Sequence, residues 1–155
     1  MLSGKLVRLI ESHWEEIISS VISRIHREPQ MEHYGARLES ELRDWGGVVL
    51  QNLGHWLTAR TADEIGLRYE ELGRKRFQEG IPLHEAVRCL AIFRERVLDF
   101  VEEHVVSKSS LELYAEEELD RHVGRFFDVL TIHMVKGYEI ALRNSCGTAQ
   151  GAGYR

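Results

Sequence analysis

The sequence predicts an all-α protein, a five-helix bundle with a long C-terminal helix. Three observations predict it. Only two prolines, Pro29 and Pro82, occur in 155 residues, so long segments are free of the residue that breaks helices. Apolar residues recur three or four apart along most of the chain, the spacing that lines one helix face. No segment reads as a strand, an internal repeat or a low-complexity tract, apart from a glycine-rich C-terminal end.

Helix one is predicted from Ser3, a favourable N-cap residue, to about Arg27. Val7, Ile10, Trp14, Ile17, Val21 and Ile25 mark its apolar stripe; Ile18 and Ile22 widen it, and Pro29 stops the helix. An irregular stretch from Gln30 to Gly35 leads into helix two, from about Ala36 to Ala59, with Leu38, Leu42, Trp45, Val49, Leu53 and Trp56 inward. Gly46, Gly47 and Gly54 lie inside it. Each costs about 1 kcal/mol against alanine, and close approach of another helix is the simplest compensation.

Thr61 and Glu64 form a capping box that opens helix three. Ile65, Tyr69, Leu72 and Phe77 face inward, with Gly73 beside them, and Gly80 ends the helix. Pro82 suits the first turn of helix four, which runs to about Val106 with Leu83, Ala86, Leu90, Phe93, Val97 and Phe100 or Val101 as its stripe. Arg94 borders that stripe. After a polar break at Ser107 to Ser110, helix five reaches about Asn144. Leu119, Val123, Phe126 and Leu130 form one apolar row, extended by Phe127, Met134, Tyr138 and Ala141. Its 34 or so residues would span about 50 Å, while a compact domain of this size is about 35–40 Å across. The helix therefore kinks, near Gly124 or Gly137, or projects. The expected organisation is one helical domain over 1–144 and a disordered tail over 145–155.

Hydrophobic residues make up 43% and charged residues 29% of the chain, which is globular composition. The net charge is −5. The densest basic run, Arg74-Lys75-Arg76, is flanked by Glu70, Glu71 and Glu79, as on a solvated helix face, so no nucleic-acid partner is expected. Cys89 and Cys146 are far apart and imply no disulfide framework. No run approaches the ~20 apolar residues of a membrane span. Glu11, Glu15 and Glu16 interrupt any signal-peptide core. A cytoplasmic protein without a membrane partner is expected.

The search for chemistry returns little. Eight histidines include no Glu-x-x-His pair of the di-iron kind and no HExxH, so no metal site is predicted. One axial histidine and an apolar pocket would suffice for haem, with His84, His104, His122 and His133 as helix-borne candidates. A globin-like haem or gas-binding protein is the alternative function. Cys89 reads as a small buried hydrophobe. No GxSxG elbow, Walker loop or GxGxxG occurs. The sequence predicts no enzyme, no catalytic residue and no cofactor. Trp45, His55 and Trp56 share helix two with three glycines. With Phe93 they are the candidate lining of a small-ligand pocket, although small and large residues can equally interlock.

Residues Tyr69 to Val101, YEELGRKRFQEGIPLHEAVRCLAIFRERVLDFV, resemble the N-terminal regulatory domain of the rsbRD-type co-antagonists of RsbT, a bacterial signalling family. Leu72, Gly73, Arg76, Gly80, Leu83, Leu90 and Arg94 carry the resemblance, which extends over residues 1 to about 142. It implies a helical input domain of stressosome or sensor-kinase type, globin-like without haem, dimeric, and acting on a signalling partner or an attached output domain, with a small-molecule ligand as a further partner. No output domain follows helix five, so the chain is expected to be a fragment of a longer protein or to act alone. Arg76 and Arg94 are placed to reach carboxylates across helices three and four. The row Leu119, Val123, Phe126 and Leu130 is expected to be an unburied seam that a second copy covers.

Overall fold

The computed structural model describes residues 3–35, 38–58, 62–105 and 109–152. These form seven α-helices and one 3-10 turn, with no strand among them. The helices are α1 (Gly4–Ser12), α2 (Trp14–Arg27), α3 (Glu39–Gln51), α4 (Leu53–Thr58), α5 (Ala62–Gln78), α6 (Leu83–His104) and α7 (Ser110–Ala152); the 3-10 turn is Glu32–Tyr34. α5 packs along α7, α6 packs between α7 and α2, α2 lies on α3, and α1 sits on α4. One core runs through all of them.

Five expected helices become seven because two of them break. The first break is at His13, where φ is −115° and ψ is 25°. The Ser12 hydroxyl donates to the Arg8 and Leu9 carbonyls, and His13 Nδ1 lies 2.9 Å from the Leu9 carbonyl. Side chains that bond nearby carbonyls compete with the helical ladder. The second break is at Asn52, with φ −123°. There the Trp56 indole N–H donates to the Val48 carbonyl. Ser3 precedes α1 without a side-chain cap; its hydroxyl donates instead to Glu118 of α7. The expected ends at Ala36, Ala59 and Val106, and the Thr61 cap, lie outside the described residues.

The predicted stripes are the core. Val7, Ile10, Ile17, Ile18, Val21, Ile22 and Ile25 are buried, as are Ile65, Tyr69 and Leu72, and Ala86 through Val101 at the expected positions. Leu83 is an exception at 40% exposure. The glycines of α3 lie where neighbours press in: a methyl on Gly46 would stand 2.9 Å from Phe93, and one on Gly47 3.1 Å from Trp14.

α7 is unbroken and runs past Asn144 to Ala152, so its end projects, and the tail expected to be disordered is helical as far as Ala152. Its buried residues run from Ala115 to Ala141, and residues 142–147 are exposed. The expected intermolecular seam is corrected here. Leu119, Val123, Phe126 and Leu130 are all 5% exposed or less, covered by this chain's own helices. The large apolar residues that α7 does leave outside are Leu111, Leu113, Tyr114, Ile132 and Leu142.

Candidate functional site

The junction between α5 and α6 is built by a glycine. Gly80 has φ +77°, a conformation open to glycine and strained for other residues. Its N–H donates to the Phe77 carbonyl, and the Ile81 N–H donates to the Arg76 carbonyl. These two bonds are the Schellman pattern that closes a helix C-terminus. The Tyr138 hydroxyl of α7 donates to the Ile81 carbonyl at 2.9 Å, so the turn is tied to the long helix.

This turn fixes Arg76 at the last turn of α5 with its side chain inside the protein, 1% exposed. Nη1 donates to Glu41 of α3 at 2.5 Å and to Glu79 at 3.2 Å. Lys75 also donates to Glu41. Burial works against the Glu41 carboxylate, but these hydrogen bonds outweigh it and hold its pKa below the ordinary value. Burial likewise opposes the Arg76 charge; Tyr34 and Glu41 outweigh that, and its pKa is raised. The Arg76 guanidinium lies 5.6 Å from the Tyr34 ring centroid, within cation–π range.

Tyr34 comes from the 3-10 turn, and a buried acid holds that turn. Glu85, in the first turn of α6, accepts from the His33 backbone N–H at 2.9 Å and sits 2.5 Å from His33 Nδ1. The remaining walls are Leu42, Trp45 and Gly46 of α3, Tyr69 and Leu72 of α5, Ala86, Cys89, Leu90 and Phe93 of α6, and Met134 of α7. Trp45 and Tyr69 meet edge to face at 5.8 Å. Together with Tyr34 and Arg76 these residues surround a cavity of about 30 Å³. Burial raises the pKa of Tyr34 and Tyr69 and pushes the Cys89 thiol up to about 12.

Five of the sequence-predicted residues, Trp45, Phe93, Leu72, Leu90 and Arg76, therefore meet at one cavity, while Gly73 and Gly80 shape its supports. His55 and Trp56 do not join it. They meet edge to face at 4.9 Å, with His55 exposed. Leu83 lies in an open groove with Phe77, Pro82 and Leu142. Arg94 is half-buried and bonds to no carboxylate among the described residues. The haem candidates are dispersed: His84 is exposed, His104 lies against Phe100, His122 against the Glu118 carbonyl, and His133 against Glu70. None lines the cavity. Sequence reasoning placed the carboxylates of Arg76 across helices three and four, whereas they are Glu41 of α3 and Glu79 just past the end of its own helix; it also missed Tyr34, Cys89 and Met134 as neighbours in the cavity. Tyr34 stands in a connector, where no periodicity marks a residue as inward.

Among the described residues there is no group of three or more His, Cys, Asp or Glu that could hold a metal ion, and no helix long and apolar enough to cross a membrane. The architecture is that of an all-α bundle organised around a buried ion-paired arginine. The chain belongs to the RsbT co-antagonist protein rsbRD N-terminal domain family, whose model matches residues 15–150. That family is one of regulatory input domains of the stressosome type. The match begins after α1 and includes the whole Arg76 site. No curated protein and no solved structure gives a match.

Proposed function

We propose that this chain is a non-catalytic sensory domain of bacterial signal transduction that binds a signalling partner and changes the packing of its helices in response to a ligand. The family match over residues 15–150 carries the reading, since its members are described as co-antagonists of RsbT. The geometry supports it in one respect. Arg76 joins α3 to α5, and Tyr138 joins the same turn to α7. A change at the buried arginine thus has a short path of direct contacts to the helix that leaves the core. A two-state element that a ligand can bias is the physical requirement for such signalling.

The domain is residues 1–144, a cytoplasmic unit, with the last turns of α7 extending beyond it. Self-association belongs to the same proposal. It uses Leu111, Tyr114, Ile132 and Leu142 of α7, because the row Leu119 to Leu130 is occupied by the core.

The test is in two parts. Light scattering at micromolar concentration should give a dimer, and affinity capture against the host's purified RsbT-type kinase and its stressosome scaffold should retain one of them. A strictly monomeric chain would remove the dimer. Binding to neither component would remove the regulatory reading.

A further inference from the structure

The Arg76 guanidinium has a donor that the protein does not use. Its Nη1 serves two carboxylates, but Nε is buried and has no hydrogen-bond partner. A buried donor left unsatisfied costs about 1–3 kcal/mol. The same residue lines the cavity of about 30 Å³. A water molecule needs at least about 10–15 Å³ of such space together with polar partners, so the cavity has room for one or two water-sized groups.

Three properties define what fits. The occupant must accept a hydrogen bond, because Nε–H only donates. It must be uncharged. The guanidinium is already matched by Glu41 and Glu79, and with Lys75 also on Glu41 the two carboxylates balance the two cations. The other walls are Tyr34, Trp45, Tyr69, Cys89, Phe93 and apolar side chains. An anion would find no further counter-charge there. It must also be small, since the surrounding side chains are packed against the core.

We infer that this cavity is a binding site for one small uncharged hydrogen-bond acceptor held by Arg76 Nε–H, either water or an amide or carbonyl compound of a few heavy atoms. The inference rests on the sensory reading only for its purpose, and it names the class of ligand that reading requires. Cavity occupancy can be measured on the chain alone, so failure of partner binding leaves this result standing, and the reverse.

The experiment follows the Arg76 Nε–H resonance of the intact chain by nitrogen-15 NMR, assigned by its loss in Arg76→Lys. A cross-relaxation peak from that proton to long-lived water is expected. Titration with formamide should shift the resonance along a saturating curve and erase the water peak, whereas water as the only occupant would keep the peak throughout. Formate, the anion of similar size, should do neither. Arg76→Lys could disturb the fold, so the assignment is repeated with Cys89→Ala, which widens the cavity and should move the same resonance. The site is overturned if the Nε–H shows neither water contact nor a saturable shift, or if formate binds more tightly than formamide.

Discussion

Gly73 and Gly137 meet backbone to backbone. A methyl built on Gly73 would stand 3.3 Å from the Gly137 Cα and would overlap the Met134 carbonyl; one on Gly137 would stand 2.9 Å from the Arg74 nitrogen. The atoms in the way belong to main chain and cannot rotate aside, so α5 and α7 would have to separate. Gly73→Ala and Gly137→Ala should each destabilise the fold by about 3 kcal/mol, at or above the upper end of the usual range for overpacking. Gly124, in the same helix as Gly137, has nothing within 4 Å of its absent methyl. Gly124→Ala should stabilise by up to about 1 kcal/mol, through helix propensity and a less flexible unfolded chain. Urea unfolding of the three variants checks both signs, and equal effects at Gly124 and Gly137 would contradict the close approach.

Arg76 sits between two carboxylates that are each about a quarter exposed, 28% for Glu41 and 26% for Glu79. Removing the arginine strands both, but both can regain water. Arg76→Met should therefore cost about 3 kcal/mol, the lower end of the range for breaking a buried pair by deleting one partner. For a chain of this length that is a fall in Tm of roughly 6–12 °C. Adding Glu41→Gln to Arg76→Met should restore part of the loss, because the stranded charge is gone. A double mutant no more stable than Arg76→Met would mean that Glu41 does not depend on the arginine.

The same pair predicts an acid limb to the stability curve. Hydrogen bonds from Lys75 and Arg76 lower the Glu41 pKa in the folded protein. The unfolded chain therefore takes up the proton first as pH falls. The contribution is fully present above the ordinary carboxylate pKa and disappears as pH drops through the lower, folded value. The gap in Tm between the native chain and Glu41→Gln should be constant near neutrality and close progressively below about pH 4.5. A gap that widens in acid would reverse the assigned direction.

Much of this fold was legible because burial repeats with helical period. Ile10, Ile17, Val97 and Leu130 announce themselves by spacing, and the glycines of α3 predicted the close neighbours that Phe93 and Trp14 supply. The break at His13 was not legible, since it depends on which carbonyls the Ser12 and His13 side chains reach. The seam predicted on α7 failed for a different reason. Comparing helix length with domain diameter says that a helix projects at its ends. It does not say that its middle is uncovered, and α1, α4, α5 and α6 all pack on α7 and leave the row at most 5% exposed. The candidate site was half legible. Arg76, Leu72, Trp45 and Phe93 could be named one by one, but only the Schellman turn at Gly80 and the Glu85–His33 clamp bring them to one cavity with Tyr34.

The two cysteines should be chemically distinct in the native protein. Cys146 lies beyond Ala141, the last buried residue among those described in α7, and is exposed. Cys89 is buried at the cavity wall, and burial pushes its pKa up to about 12. The thiolate is the reacting form, and at pH 8 a group of that pKa is ionised in roughly one molecule in ten thousand. An aromatic disulfide reagent should modify one thiol within seconds and the second only when urea opens the core. The sign on stability follows from the same shift. The unfolded thiol ionises near pH 8.5, the folded one far above it. Stability held below pH 8.5 is therefore lost as pH rises toward the folded value, and Cys89→Ala should flatten that alkaline decline. Two thiols reacting together in the native protein would show that the Arg76 cavity opens to solvent on the timescale of the reaction.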